Sequence, residues 1–486
     1  MTPAPQSPAA RLQELERLGR QLATDPSNLE FAQQRARLLA ELGRHEEAKQ
    51  AYFEILAVDP AHRVALNGLG ELFLAMGHRS AAQTAFTEAV KHHPEDPVSH
   101  VKLASVLSGQ GEAAAAREHY ETALRLDPHA RIAHEGLVYI LSDLGEKEAA
   151  DEHRRLAFSR NPISVFGFHG KGEPIPLLVL VAGDGGDIPF HQLIDFRTFL
   201  ITTLAIEFLE PGASLPPHAL IFNSIGDADL SRVSLEAAAR VLAGIDSPVI
   251  NSPEVVLATG RDANAERLGL LPGVVTPKIA ILSRELLSGP DAAVNLAALG
   301  FAFPLLLRSP GFHAGRHFVQ VENREALAAA LPSLPGPQLT VLQFLDVRGA
   351  DGKIRKYRVM MIGGKLYPLH AAVSHDWKVH YFSADMVDSP EHRAEDQAFL
   401  ENMPEVLGEK AMSALQAVQA ELGLDYAGID FSLGKDGEVI LFEANATMTI
   451  VRPPQGEMWD YRRQPVRTIL DAIRELFFRR AKFGQR

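Results

Sequence analysis

Two carboxylates and an amide near the end of the chain have the types and spacing of a site for a hard cation. Ile429-Asp430-Phe431 sets an acid inside an apolar stretch, Gly434 to Gly437 reads as a turn, and Val439 to Phe442 returns into Glu443-Ala444-Asn445. In such a hairpin Asp430 and Glu443 can converge near one sheet edge, with Asn445 two residues further along the same side. Three hard oxygen donors suit Mg²⁺ set against the β- and γ-phosphates of a nucleoside triphosphate. An acidic pair inside apolar strands is costly unless a cation answers it, which weighs against a plain surface hairpin.

Polyphosphate also needs protein cations, and the preceding segments supply them. Pro304 to Arg308 is an apolar run ending in a cation, followed by Ser309-Pro310-Gly311-Phe312-His313-Ala314-Gly315-Arg316-His317. In a glycine-bearing hairpin, backbone N–H groups can approach phosphate oxygens while Arg308 and Arg316 neutralise them. Thr340 to Leu345 is a further apolar strand, running into Asp346-Val347-Arg348-Gly349. Lys356 and Arg358 alternate onto one face of a strand that turns at Gly363-Gly364, a plausible phosphate clamp.

The elements that must hold these groups are strands and helices in alternation. Leu177 to Ala182 reads as a buried parallel strand ending in Gly183-Asp184-Gly185-Gly186-Asp187, which is neither a P-loop nor a dinucleotide fingerprint. Ala219 to Asn223 is a second strand, followed by Gly226-Asp227-Ala228-Asp229 and a helix from about Leu235 to Leu242. The pattern predicts a small doubly wound sheet, with Asp227 and Asp229 capping the next helix rather than binding metal.

Taken in order, Arg308 with its glycine-bearing loop, Gln343-Phe344-Leu345-Asp346, Arg358 before a Gly-Gly hairpin, Asp430 and Glu443-Ala444-Asn445 resemble the ATP-grasp superfamily of carboxylate–amine ligases. The resemblance covers roughly Pro174 to Leu476. It implies that Arg308 contacts the α- and β-phosphates and that Gly311 to Arg316, including His313 and Gly315, form a lid loop. It further implies that Gln343, Phe344 and Leu345 present backbone groups to adenine, with Asp346 near the ribose. Arg358 would neutralise the γ-phosphate and the acyl phosphate, and Asp430, Glu443 and Asn445 would hold Mg²⁺. Where the family commonly has Lys, this chain has Arg308 and, at a helix start, Arg261-Asp262. The Pro-Gly turn that often follows the Glu-x-Asn of peptide ligases is replaced by Ala446-Thr447-Met448-Thr449. His370 to Tyr381, with His370, His375, Trp377, Lys378 and His380, is expected to line the reaction centre, with His370 or Lys378 on the acyl phosphate. No His-x₃-His pair comes with a carboxylate at helical spacing, so zinc is not indicated.

The first third of the chain is periodic. Pro26, Pro60, Pro94, Pro128 and Pro162 recur every 34 residues, and Gly43, Gly77, Gly111 and Gly145 keep the same step. So do Ala48, Ala82, Ala116 and Ala150, with Tyr52, Phe86 and Tyr120 each four residues after one of the first three. This is the tetratricopeptide pattern: glycine for the turn, alanine where two helices cross, an aromatic for the groove beside them. Asp25-Pro26, Asp59-Pro60 and Asp127-Pro128 would end one repeat and cap the next. Four repeats are expected from 28 to 162, behind a tail and a capping helix around Arg11 to Ala23, with Arg154 in the aromatic's place marking a terminal, partly exposed unit.

With net charge −13 and pI about 5.8 the chain lacks the basic excess that recruits nucleic acid. It has no cysteine, so any metal is held by oxygen or imidazole. No apolar run approaches the roughly 20 residues of a membrane helix, and the first residues lack a secretory pattern, so a cytoplasmic protein is expected. The expected architecture is multidomain: an all-α repeat superhelix to 162, a first α/β domain over 174–265, and an α+β ATP-grasp catalytic unit over 266–486. The expected activity is ATP- and Mg-dependent joining of a carboxylate to an amine, on a peptide or protein held by the repeats, with a small amine or amino acid as the other substrate. A kinase on the same fold, or a repeat protein whose nucleotide site only regulates binding, are the alternatives.

Overall fold

The computed structural model describes residues 8–168, 170, 172–183, 185–310, 315–379, 384–453 and 456–483. They form two compact units, one of residues 1–174 with 196–201 and one of 175–195 with 202–486.

In the first unit α1 (Pro8–Thr24) precedes four helix pairs: α2 (Leu29–Glu41) and α3 (His45–Val58), α4 (Arg63–Ala75) and α5 (Arg79–His92), α6 (Pro97–Gly109) and α7 (Ala113–Leu126), α8 (Arg131–Leu144) and α9 (Lys147–Phe158). First helices begin at 29, 63, 97 and 131, so the period of the sequence is the period of the fold. Each pair turns at a glycine with positive φ, from 73° at Gly43 to 85° at Gly111, where a Cβ would be strained. Ala48, Ala82, Ala116 and Ala150 are fully buried. Tyr52, Phe86 and Tyr120 are buried beside them, each against a glycine of a neighbouring first helix. A Cβ on Gly68 would come within 2.5 Å of Tyr52, on Gly70 within 2.4 Å of Phe86, and on Gly136 within 2.2 Å of Tyr120. Arg154, in the aromatic's place, is half-buried and pairs with Asp151.

The caps differ from the sequence expectation. Side chains of Asn28, His62 and Asp96 accept the N–H groups of Phe31, Ala65 and Ser99 at the starts of α2, α4 and α6. The Asp-Pro aspartates stand three residues too early for this, and Asp59 and Asp127 close α3 and α7 instead, accepting from Ala61 and His129. α8 follows Ala130 and has no side-chain cap. A short strand, β1 (Ile163–Val165), follows α9.

The second unit is a mixed α/β assembly. β2 (Ile175–Val181), β4 (Leu220–Asn223) and β5 (Val249–Ile250) pair in parallel, as the alternating pattern predicts. β3 (Phe199–Ala205) lies between β2 and β4 in sequence, and its last four residues belong to this unit. α10 (Arg232–Leu242), α11 (Pro253–Leu257) and α12 (Arg261–Leu268) follow, α12 running through the position at which the sequence suggests a change of domain. A second sheet has the order β7-β10-β8-β9, all antiparallel, from β7 (Ile279–Ser283), β8 (Leu305–Arg308), β9 (Phe318–Val321) and β10 (Gln338–Gln343). Leu305, Leu307, Leu339 and Val341 alternate into its core against α13 (Arg284–Ser288), α14 (Ala292–Ala298) and α15 (Arg324–Ala330).

The third sheet has the order β12-β11-β13-β14-β6, built of β6 (Val274–Val275), β11 (Ile354–Ile362), β12 (Lys365–Ser374), β13 (Tyr426–Leu433) and β14 (Val439–Asn445). Its pairs are antiparallel except β14 with β6. α16 (Pro390–Glu401), α17 (Met403–Leu422) and α18 (Arg463–Phe483) pack on it, and Tyr426 to Ser432 of the central strand are buried throughout.

The glycine and ring fit in the repeats has a measurable consequence. Gly70→Ala gains about 1 kcal/mol of helix propensity but overpacks a ring with no exposure, at about 1–3 kcal/mol. We expect a net loss of up to about 2 kcal/mol in urea unfolding followed by far-ultraviolet circular dichroism. A stabilised variant would show that the Phe86 ring is not held there.

Candidate functional site

Antiparallel register lines up the third sheet's charged residues in one row. His370 of β12 faces Arg358 of β11, Arg358 faces Asp430 of β13, and Asp430 faces Glu443 of β14. Directly opposed residues share a face, so the row presents one surface. The register shifts beside this row at Arg358/Val359 and at Asp430/Phe431. Bulges at such points re-aim side chains, and both flank the candidate residues. Asp430 and Glu443 thus converge across the sheet's interior strands, not at its edge as the sequence suggested.

Every member of the acidic set is engaged by the protein itself. Arg358 grips Asp430 with Nε on Oδ1 at 2.6 Å and Nη2 on Oδ2 at 2.8 Å, and Lys356 Nζ reaches Oδ2 at 2.6 Å. Glu443 Oε1 accepts from Arg261 Nη2 at 2.8 Å and from Asn445 Nδ2 at 3.0 Å. The Asn445 oxygen accepts from the Thr447 N–H at 3.0 Å and the Thr447 hydroxyl at 2.9 Å. A proline at 447 would carry neither donor.

Arg261 reaches Glu443 because α12 is pinned at its start and along its body. Asp229 accepts the Arg261 N–H at 3.2 Å, and Asn264 donates to the Ala444 carbonyl of β14 at 2.7 Å. Neither aspartate caps α10, as the sequence suggested: Asp227 closes its own turn, accepting from the N–H groups of Asp229 and Leu230, and Asp229 accepts the first N–H of α12.

A cavity of about 290 Å³ opens on this row. Its polar lining includes Arg261, Arg308, Lys356, Arg358, Asp430, Glu443 and Asn445, and Asp227 and Asp229 also reach it. Its apolar lining includes Leu306, Leu342, Phe344, Val347 and Ile354. Gly315, Gln343, Leu345 and Lys378 line it too, Lys378 donating to the Phe318 carbonyl at 3.1 Å. The Gln343 N–H is spent on the Lys278 carbonyl at 2.8 Å, and the lining residues Phe344 and Leu345 lie beyond the strand's end.

Other expected members lie elsewhere. His370 is buried and does not line the cavity; its place is beside Arg358 in the row. Arg316 and Asp346 are exposed and outside the lining, Asp346 pairing with Arg348 at 3.2 Å. His375 is also exposed. Gly311, His313 and His380 lie outside the described residues. Sequence reasoning missed Asn264 and Phe318. Asn264 sits three residues after the noted Arg261, one helical turn on, and Phe318 makes an edge-on ring contact with Trp377 at 5.3 Å.

Burial and charge set the protonation states. Burial opposes ionisation of Asp430, but Lys356 and Arg358 overcome it and hold the carboxyl far below the usual range. Burial likewise opposes Glu443, yet Arg261 brings it down to about 2. Burial, reinforced by Arg261, pushes Arg308 down to about 10, while Glu443 and the two aspartates pull the other way. Burial and then Arg358 hold His370 well below its ordinary value, so the ring is neutral.

The donor set fits Mg²⁺ in its chemistry: hard oxygens on carboxylates that stay ionised. Among the described residues no three His, Cys, Asp or Glu side chains cluster as a ready cation site, and the acids' present counter-charges are arginine and lysine.

Both acids titrate lower folded than unfolded, so their ionisation stabilises the fold above about pH 4, and this is lost as pH falls through the folded values. Stability should therefore decline as pH drops from about 5 towards 2. Asp430→Asn should cost roughly 3–5 kcal/mol at neutral pH by leaving two cations unpaired, and should flatten that acid limb in urea titrations. A variant as stable as the parent would show that the pair carries no weight.

Residues 29–62 and 101–153 each match the tetratricopeptide repeat. No curated protein matches the chain. Among solved structures it is similar to MamA, at 20% identity over 30% of this chain and 85% of that one, with a TM-score of 0.28. It is also similar to YrrB, described as a TPR protein with an unusual peptide-binding site, at 18% identity over 30% and 76% with a TM-score of 0.28. A third is pilF of Pseudomonas aeruginosa, at 19% identity over 30% and 67% with a TM-score of 0.28. No helix among the described residues is long and apolar enough to cross a membrane. The amino-terminal region is thus an array of tetratricopeptide repeats, followed in the chain by a mixed α/β region.

Proposed function

We propose that the second unit is an ATP-dependent ligase of the ATP-grasp type, and that the repeats bind a peptide or protein that supplies one of its substrates. The observation that carries this reading is the meeting of Arg261, Arg308, Lys356 and Arg358 with Asp430, Glu443 and Asn445 in one cavity that also has apolar lining. A triphosphate matches the charged lining and a base the apolar lining.

In this reading a substrate carboxylate oxygen attacks the γ-phosphorus in line, the bond to the β–γ bridging oxygen breaks, and ADP leaves. An amine then attacks the acyl carbon, phosphate departs, and the nitrogen gives up a proton. Arg308 neutralises the phosphates near the end of β8, and Arg358 bears on the transferring group from the central strands. The backbone of Phe344 and Leu345 offers polar groups to the base beside Leu306 and Leu342. Lys378 lines the cavity and supplies charge there. Mg²⁺ held by Asp430, Glu443 and Asn445 would neutralise β- and γ-phosphate oxygens. His370, neutral and away from the lining, acts through the placement of Arg358.

A second reading, a nucleotide-regulated binding protein without turnover, draws on the engagement of the Asn445 oxygen by Thr447. ATP with Mg²⁺ should bind the full chain in isothermal titration, and Arg308→Ala should weaken it about tenfold or more, the loss of a charged phosphate contact. With a competent carboxylate and amine, Glu443→Gln should keep the fold yet abolish ADP release. Turnover retained by that variant sinks the ligase assignment, and binding with no ADP release by the parent favours the second reading.

A further inference from the structure

The acidic set is neutralised from within, and by cations that also line the cavity. Asp430 carries Arg358 on both oxygens and Lys356 on one. Glu443 carries Arg261 and the Asn445 amide on Oε1, leaving Oε2 as the one oxygen of the set without a described contact. Asn445 turns its oxygen towards Thr447, away from any shared centre with Glu443. A divalent ion meeting this arrangement finds one carboxylate oxygen and several protein cations.

We infer that the divalent-cation site is opened by anion binding: a polyphosphate draws Arg261 and Arg358 off Glu443 and Asp430, and the freed carboxylates then take the metal. This rests on the nucleotide reading above and adds an order to it. The same guanidinium groups serve two anions in turn, the carboxylates at rest and the phosphates when loaded. Reciprocity follows: whatever factor the polyphosphate adds to metal affinity, the metal adds to polyphosphate affinity.

The test uses Mn²⁺ as the probe, read by the loss of its free paramagnetic resonance signal on the full chain. Mn²⁺ should bind weakly alone, and about tenfold or more tightly once inorganic tripolyphosphate or a non-hydrolysable ATP analogue is present, beyond what either anion binds in free solution. Both anions should bind measurably in chelator. Arg261→Gln should move the two affinities in opposite directions, Mn²⁺ tighter in the anion-free protein and polyphosphate weaker, whereas a merely damaged fold would weaken both. Lys356→Gln tests the same exchange through Asp430 on a different element. Mn²⁺ binding equally tight without anion, or no gain for Mn²⁺ in either variant, overturns the inference. Coupling to tripolyphosphate but not to the ATP analogue overturns the nucleotide reading while the exchange stands.

Discussion

The candidate site depends on one buried carboxylate. Asp430 lies in the central strand with 1% exposure, and such a charge is tolerated only because Arg358 and Lys356 reach it from the neighbouring strand. That demand fixes the register of β11 on β13, because a slip of one residue would send both cations to the opposite face. Register then puts Glu443 beside Asp430 and His370 beside Arg358. The charged row across the third sheet follows from satisfying a single acid.

Helix α12 extends the same logic to a second element. Its start is capped by Asp229 and its body is tied to β14 through Asn264, so Arg261 reaches Glu443 from outside the sheet. Arginine at 261 and 308 matters here. A guanidinium can hold a carboxylate and still offer donors to a phosphate, whereas an ammonium is a single compact charge.

Much of this was legible in the sequence, and the rest was hidden for identifiable reasons. The repeats were readable because glycine, alanine and aromatic each answer a local steric need that recurs with the period. The Asp430 to Glu443 hairpin was readable because acids rarely interrupt apolar strands without cause, and the shared face of Lys356 and Arg358 followed from alternation alone. What the acids hold at rest was not readable: Arg261 lies 182 positions from Glu443, and such proximity is set by tertiary packing. His370 shares the face of Arg358 yet is buried and outside the cavity lining, because nearness in sequence to Trp377 and Lys378 says nothing of how deeply a strand residue is covered. The caps were missed because the Asp-Pro pairs are conspicuous, while helix geometry needs the residue three places later.

The repeat array carries an asymmetry of its own. Three of its first helices begin on a side-chain cap, and the fourth begins after Ala130 with none. The last unit also replaces a ring wedged in a groove by Arg154 paired to Asp151. In a chain of units stabilised by nearest neighbours, each unit needs its own local constraints as well as its neighbours. The first turn of α8 therefore frays more readily than those of α2, α4 and α6, whose opening N–H groups a side chain holds.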